Sequence, residues 1–273
     1  MVVEPFPTFP LIRDLAVDIE GSLSDSKGIM PWLVRTQKPP RGYEKIDPTK
    51  IIPARFVGNC IECLCCEANC HIKKLNDPRI GEFSGPRLFI RLAQRAADPR
   101  DEGKRTGQGV QLGLFKCTAC MGCNEVCPKN IDIMLDAIEY TRQKAVIDKL
   151  GPMPKSITFH DLIKSTGKSV ERLEKPFLEQ IPETISPPGG NPQRRVAFFT
   201  GCLVDYRLQR IGQDAIDTLI RNNIEVIVPK KQICCGSPLL RTGQTDIVQK
   251  IVRQNVEIFE PLKGDIDAVV TIC

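Results

Sequence analysis

Long apolar runs, histidines and aromatic side chains are all scarce in this chain. No stretch approaches the roughly 20 consecutive apolar residues needed to cross a bilayer, and no apolar segment of a secretory leader stands at the N-terminus. Aromatic residues make up 5% of the 273 positions, and the net charge of +5 is spread along the chain. Without a basic stripe interleaved with aromatics, nothing argues for nucleic-acid binding, although Lys and Arg remain available to dock an acidic partner protein. The Gly-rich phosphate loop of a dinucleotide site is also missing, so nothing argues for NAD. There are two histidines; His160 carries no signal, and no acid–base constellation assigns any residue a catalytic role.

Cysteine is what the chain has. Cys60-x2-Cys63-x2-Cys66-x3-Cys70 is followed 47 residues later by Cys117-x2-Cys120-x2-Cys123-x3-Cys127, with Pro128 behind the second run. Each has the spacing of bacterial-type ferredoxins, in which three cysteines hold one iron–sulfur cluster and the fourth reaches across to the other. On that logic Cys60, Cys63, Cys66 and Cys127 hold one [4Fe–4S] cluster, and Cys117, Cys120, Cys123 and Cys70 hold a second. Structural zinc prefers paired C-x2-C units separated by a longer loop, which a 2-2-3 run fits poorly. A disulfide framework belongs to short secreted chains, and here the 13 cysteines are an odd number. Thiolate ligands need a reducing compartment, which points to the cytoplasm.

Four regions follow from the composition. Residues 1–59 carry eight of the 22 prolines and little periodicity, and read as an extended segment lying on another surface. Residues 60–150 read as a helical two-cluster domain: Phe89, Leu92, Ala93 and Ala96 recur at helical spacing, and Ile133, Leu135, Ala137 and Ile138 open a helix running towards Leu150. Residues 151–194 are Pro-rich and read as a linker with a short helix over Asp161–Glu174. From Arg195 the pattern turns α/β, with strands at Val196–Thr200, Val226–Val228 and Ala268–Ile272. Between them lie amphipathic helices marked by Leu208, Ile211, Ala215 and Leu219, then by Val248, Val252, Val256 and Phe259. That alternation predicts a parallel sheet. The fold class is therefore α+β and multidomain: an all-α ferredoxin-like domain with two clusters, then an α/β module with a short parallel sheet.

A third cysteine set, Cys202, Cys234, Cys235 and Cys273, falls at or just beyond the strand ends of that module, the edge where open parallel sheets bind ligands. Gly236 after the adjacent pair allows a backbone turn that faces both sulfurs to one metal site. The plain alternative is four cysteines packed as small hydrophobes. The spacing resembles the cysteine-rich CCG domain, with 31 residues between Cys202 and Cys234 and 36 between Gly236 and Cys273. Cys273 would open that family's terminal C-x2-C, so the module is expected to be incomplete and the chain a C-terminally truncated piece. The resemblance implies a non-cubane [4Fe–4S] cluster, acting on thiols and disulfides, in the full-length protein.

From Pro5 to Thr141 the chain resembles the iron–sulfur subunit of succinate dehydrogenase and fumarate reductase. The residues that carry this are Pro10–Asp18, Cys60–Cys70, Gly85-Pro86 with Arg95, Asp98, Arg100 and Asp101, and Cys127-Pro-Lys129. Cys65 fits the same family's pattern as a packing residue, not a ligand. That subunit begins with a plant-type [2Fe–2S] domain, expected here before residue 1. It lacks a cysteine where Cys120 stands and holds a [3Fe–4S] cluster, so Cys120 favours a cube. Its quinone-site Trp has no counterpart after Cys70; Trp32 is the only Trp. His71 replaces the family's Pro, and either hydrogen-bonds a cluster sulfur or lies on the surface.

Joining this front half to a CCG module resembles the thiol-driven fumarate reductases, which couple coenzyme M and coenzyme B oxidation to fumarate reduction. The resemblance implies electrons entering at the CCG region, crossing the two cubes and leaving to a flavoprotein subunit whose FAD reduces fumarate; no flavin site is visible here. It leaves room for peripheral association with the inner face of a membrane. Two other readings stay open: a CCG-containing succinate dehydrogenase with a quinone or membrane partner, and the iron–sulfur subunit of a heterodisulfide reductase or of a glycolate or glycerol-3-phosphate dehydrogenase.

Overall fold

A buried ion pair ties the first 60 residues to the helical region beyond them. Arg105 and Asp101 meet at 2.6 Å with side chains 2% and 1% exposed. The same guanidinium donates to the carbonyls of Ile29, Met30 and Trp32 at 2.5, 3.0 and 2.8 Å. Asp101 in turn accepts from Val34 N–H at 3.2 Å. Five fixed guanidinium donors can saturate several carbonyls at once, which suits Arg to pinning an irregular segment.

The computed structural model describes residues 2–75, 83–152 and 154–272. Two compact units emerge, Met1–Met153 with Arg241–Gly243, and Pro154–Leu240 with Gln244–Cys273. In the first, β1 (Leu11–Arg13) and β2 (Ala16–Val17) form an antiparallel hairpin, and helices occupy Glu20–Asp25 and Pro48–Gly58. The stretch expected to be extended therefore contains regular elements and belongs to the same unit as the cysteine runs. Its contribution includes Ile29 and Val57, both buried in the core. Asp47 caps the second of these helices through Thr49 N–H, with Pro48 at its first position.

The central helix of this unit is Pro86–Ala96, whose Leu88, Phe89, Ile90, Leu92 and Ala93 are all buried. It packs against Pro48–Gly58 and Ile133–Glu139, and Phe83 stacks on Phe89 with centroids 5.5 Å apart. Ile133–Glu139 has the wide π-helical turn and continues into Tyr140–Ile147. Asp132 caps it by accepting from Leu135 N–H at 2.9 Å. Among the described residues, every regular element between 60 and 150 is helical.

In the second unit the strand order is β3-β5-β4-β6, with β3 Thr184–Ile185, β4 Arg194–Phe199, β5 Ile224–Ile227 and β6 Ala268–Thr271. Strand β4 pairs in parallel with both β5 and β6, Val196 facing Val226 on one side and Ala268 on the other. Its central position explains its continuous apolar run, since Val196, Ala197 and Phe198 are all buried. Helices Gln209–Arg221 and Thr245–Phe259 connect the strands.

The stretch 151–194 differs from a linker. It supplies helix Pro154–Thr166, the short helix Phe177–Gln180, and β3, which pairs antiparallel with β5. The helix read at Asp161–Glu174 starts earlier and stops at Thr166, beyond which Gly167 turns with φ +72°. Antiparallel β3 is only two residues long, too short for alternation to announce it.

Candidate iron–sulfur centres and thiol site

The two cysteine runs fold with the same local geometry. Glu62 and Leu64 flank Cys63 with φ of 56° and 63°, and Ala119 and Met121 flank Cys120 with φ of 58° and 66°. Left-handed backbone at four non-glycine residues is uncommon and costs energy; it coils each run so that successive cysteines turn inwards. Each coil then enters a one-turn helix, Cys65–Ala68 or Gly122–Glu125. A bond from Asn69 Nδ2 to Gly122 O at 2.8 Å links one run to the other.

Two cavities result. One is lined by Cys60, Cys63, Cys66 and Cys127, with Ile90, Ile131 and Ile133 supplying apolar walls. The other is lined by Cys70, Cys117, Cys120 and Cys123, with Phe83, Met134 and Ile138 behind them. Each thus takes three cysteines from one run and the fourth from the other. Among the described residues no three His, Cys, Asp or Glu side chains gather closely enough to hold a single ion. Four sulfurs spread around a cavity suit a cluster, which spaces its thiolates over several irons. The all-sulfur donor set and apolar walls fit a [4Fe–4S] cube at each place.

Burial raises the Cys66 thiol far above its usual range, and it also pushes Cys123 up to about 12. Cys70 and Cys117 are raised for the same reason. An anionic sulfur there needs compensating iron charge, so ligation expels protons. The backbone helps: Ala119 N–H points at Cys117 Sγ and Ile131 N–H at Cys127 Sγ, both at 3.4 Å. His71 lies on the surface, yet Nδ1 is 3.5 Å from Cys120 Sγ and Nε2 is 3.1 Å from Thr118 Oγ1. A surface position and a contact with the Cys120 sulfur are thus combined in one residue. Cys65 Sγ lines neither cavity and points at Cys63 O, 3.9 Å away. Arg142, unremarked in the sequence, is buried behind the second run and donates to Leu114 O at 2.9 Å and Cys117 O at 2.8 Å.

In the second unit Cys202 opens helix Gly201–Tyr206 just past β4, and Cys234 and Cys235 lie in the loop after β5. Cys202 and Cys234 are buried in one apolar cluster with Ile163, Leu239, Val248 and Ile251, whereas Cys235 is exposed. Gly236 adopts φ +85°, and its N–H points at Cys234 Sγ at 3.4 Å. The Cys234 thiol reaches both neighbours. Its hydrogen bond, with smaller help from Ser169 and Lys168, lowers Cys202 to about 7 against the opposing effect of burial. The Cys234 bond and burial together raise Cys235 well above the thiol range. Cys273 lies outside the described residues. With Cys234 reaching a sulfur on either side, the three cysteines fit a thiol or iron–sulfur site, and the plain packing alternative leaves the exposed Cys235 without a reason.

Sequence reasoning missed Lys168 and Ser169. Ser169 N–H donates to Cys202 Sγ at 3.4 Å, and Lys168 Nζ meets Asp205 Oδ2 at 2.8 Å. No spacing rule could have found contacts made from a stretch that composition marks as a linker.

Comparison with known proteins gives two domain matches. Residues 57–131 match the 4Fe-4S dicluster domain, and residues 196–273 match the cysteine-rich (CCG) domain. The chain therefore carries a 4Fe-4S domain followed by a CCG domain. Over its whole length it is 37% identical to a fumarate reductase (CoM/CoB) subunit of Methanothermobacter marburgensis, covering 52% of that protein. It is 39% identical, again over its whole length, to an iron–sulfur protein of Methanocaldococcus jannaschii, covering 54% of it. The chain thus spans about half the length of these curated relatives. Among solved structures, the Sdh1 complex of Mycobacterium smegmatis in the apo form matches with a TM-score of 0.50 at 26% identity, over 55% of this chain and 63% of that one.

Proposed function

We propose that this chain is an electron-transfer iron–sulfur subunit of a fumarate reductase or succinate dehydrogenase complex. It takes electrons from thiol oxidation at the CCG region and passes them through two [4Fe–4S] clusters to a flavoprotein partner that reduces fumarate. The observation that carries the reading is the pair of cavities, each lined by three cysteines of one run and one of the other. Ligands are Cys60, Cys63, Cys66 and Cys127 for one cluster, and Cys117, Cys120, Cys123 and Cys70 for the other. Bound there, the clusters supply one-electron storage. The chain's own part is to hold the thiolates close, keep water out with Ile131, Ile133, Phe83 and Met134, and direct N–H groups at sulfur. Cys202, Cys234 and Cys235, with Cys273, form the thiol-linked site. FAD belongs to the partner.

Among the described residues no helix is long and apolar enough to cross a membrane. A cytoplasmic place, with room for association at the inner membrane face, follows from the reduced thiols that such ligation requires. The names of the relatives support the assignment to fumarate reduction, and the CCG domain beside the cysteine runs supports thiol oxidation as the input.

The test is anaerobic purification with iron and sulfide analysis. The expected result is a brown protein binding about eight irons within residues 60–127. A colourless protein holding zinc would sink the electron-transfer reading. For the thiol input, Cys234→Ser and Cys235→Ser should abolish thiol-dependent reduction of an artificial acceptor by the complex; an unchanged rate would place the entry point elsewhere.

A further inference from the structure

The strap Gly167–Ser169 lies outside the span matched to the CCG domain, yet it binds both cysteine-bearing segments of that site. Gly167 O accepts from Cys234 N–H at 2.8 Å, and Ser169 N–H donates to Cys202 Sγ at 3.4 Å. Between them Lys168 is 6% exposed. Its ammonium reaches Gln232 O at 3.2 Å and Asp205 Oδ2 at 2.8 Å, and sits 5.8 Å from the centre of the Tyr206 ring. Asp205 is itself buried and accepts from Leu178 N–H at 3.0 Å. Gln232 is fixed as well, donating to Phe198 O and accepting from Thr200 N–H.

We infer that Lys168 and Ser169 are positioning residues of the thiol site, setting its reduction potential through a buried positive charge and an N–H aimed at the Cys202 sulfur. A buried lysine is costly unless it has a purpose or a partner. Asp205 balances Lys168 in charge, so the pair could be only structural. Three features argue for more. The strap touches both cysteine-bearing segments, Lys168 stands between its two contact residues in sequence, and Asp205, which holds the ammonium, lies one helical turn beyond Cys202 on the same short helix. Reduction adds negative charge at the sulfurs. A nearby cation favours that state and a nearby carboxylate opposes it, more strongly in a buried site than in water. Lys168 and Asp205 then act as opposite levers on one potential. Neither residue takes part in a covalent step: the one-electron couple would be that of an iron–sulfur cluster held by the cysteines, with the electrons of thiol oxidation as its reductant, and Lys168 and Ser169 would change only its potential.

The inference rests on the reading of residues 196–273 as a redox site, and the experiment separates the two. In the intact complex, the midpoint potential of the signal lost in Cys235→Ser is measured by EPR-monitored titration for three variants. Lys168→Met should lower it by at least the equivalent of a tenfold change in the reduced-to-oxidised ratio, about 59 mV for one electron. Lys168→Arg should restore it, and Asp205→Asn should raise it. If Lys168→Met does not accumulate as folded protein, the upward shift in Asp205→Asn decides by itself. A signal present with potentials unmoved in the folded variants overturns the inference alone. Absence of any signal that depends on Cys235 overturns the redox reading and the inference with it.

Discussion

The two cysteine-bearing regions solve the same problem, holding several thiols together, by opposite means. In residues 60–127 the thiols are gathered by the chain's own local path. Paired left-handed residues, Glu62 and Leu64 in one run and Ala119 and Met121 in the other, coil each trio around a cavity. One exchange of cysteines between runs completes each set. In the CCG region the thiols come from segments far apart in sequence, and a parallel sheet brings Cys202 and Cys234 together. Local coiling is robust to what surrounds it, but sheet-built convergence depends on everything that holds the sheet and its loops. The first region should therefore tolerate changes in the second, while the second should be sensitive to remote contacts such as the Gly167–Ser169 strap.

The largest test of that contrast strikes the frame around the coils. Arg105→Ala leaves Asp101 buried without its partner and frees the carbonyls of Ile29, Met30 and Trp32. Breaking such a pair costs about 3–5 kcal/mol, so the melting temperature should fall steeply. If the eight-iron content nevertheless survives at low temperature, the coils are shown to hold their clusters on local geometry. Loss of iron together with stability would erase the contrast.

A smaller effect is expected at Gly85, where φ is +96° and an added Cβ would lie 2.7 Å from Glu67 Oε1 and 2.8 Å from Lys73 Cδ. Gly85→Ala forces strain on the residue that opens the Pro86–Ala96 helix, at a cost on the order of 1–3 kcal/mol. Chemical denaturation should show the loss; an unchanged midpoint would mean that the turn relaxes freely.

Cys120→Ser should remove about one iron and nothing else. The other three thiolates of that cavity remain, so EPR should gain a [3Fe–4S] signal while the first cube persists. Loss of both clusters would mean that the runs are less independent than their separate cavities suggest.

The smallest expected change is at His71, 3.5 Å from Cys120 Sγ. His71→Ala removes a polar contact to one ligand sulfur, so the second cluster's potential should move by less than the roughly 59 mV of a tenfold one-electron change. The first cluster's potential should stay fixed, because its cavity does not include this residue. Equal shifts in both would point to a general loosening of the unit.

The grouping of the eight cysteines around two cavities could be read in their spacing, because the coiling of a short loop is a short-range property. Helices at Pro86–Ala96, Gln209–Arg221 and Thr245–Phe259 were legible for a similar reason: one apolar face repeats at helical spacing. The parallel pairing of β4 with β5 and β6 followed from their alternation with helices. Strand β3 and the helices of residues 1–59 were not legible. Two residues carry no period, and Pro-rich segments take their structure from the surface on which they lie.

The sequence by itself determined which sulfurs exist, their grouping into two runs and a scattered third set, and hence the chemistry open to the protein. A residue's type and its distance along the chain are enough for that. Only the tertiary structure decided that Arg105 would bind the early segment, that Asn69 would join the two runs, and that Lys168 and Ser169 would stand beside Cys202. Those contacts span between 33 and 76 residues. At such separations the partner is chosen by how helices and strands pack, and no local pattern of residues records the choice.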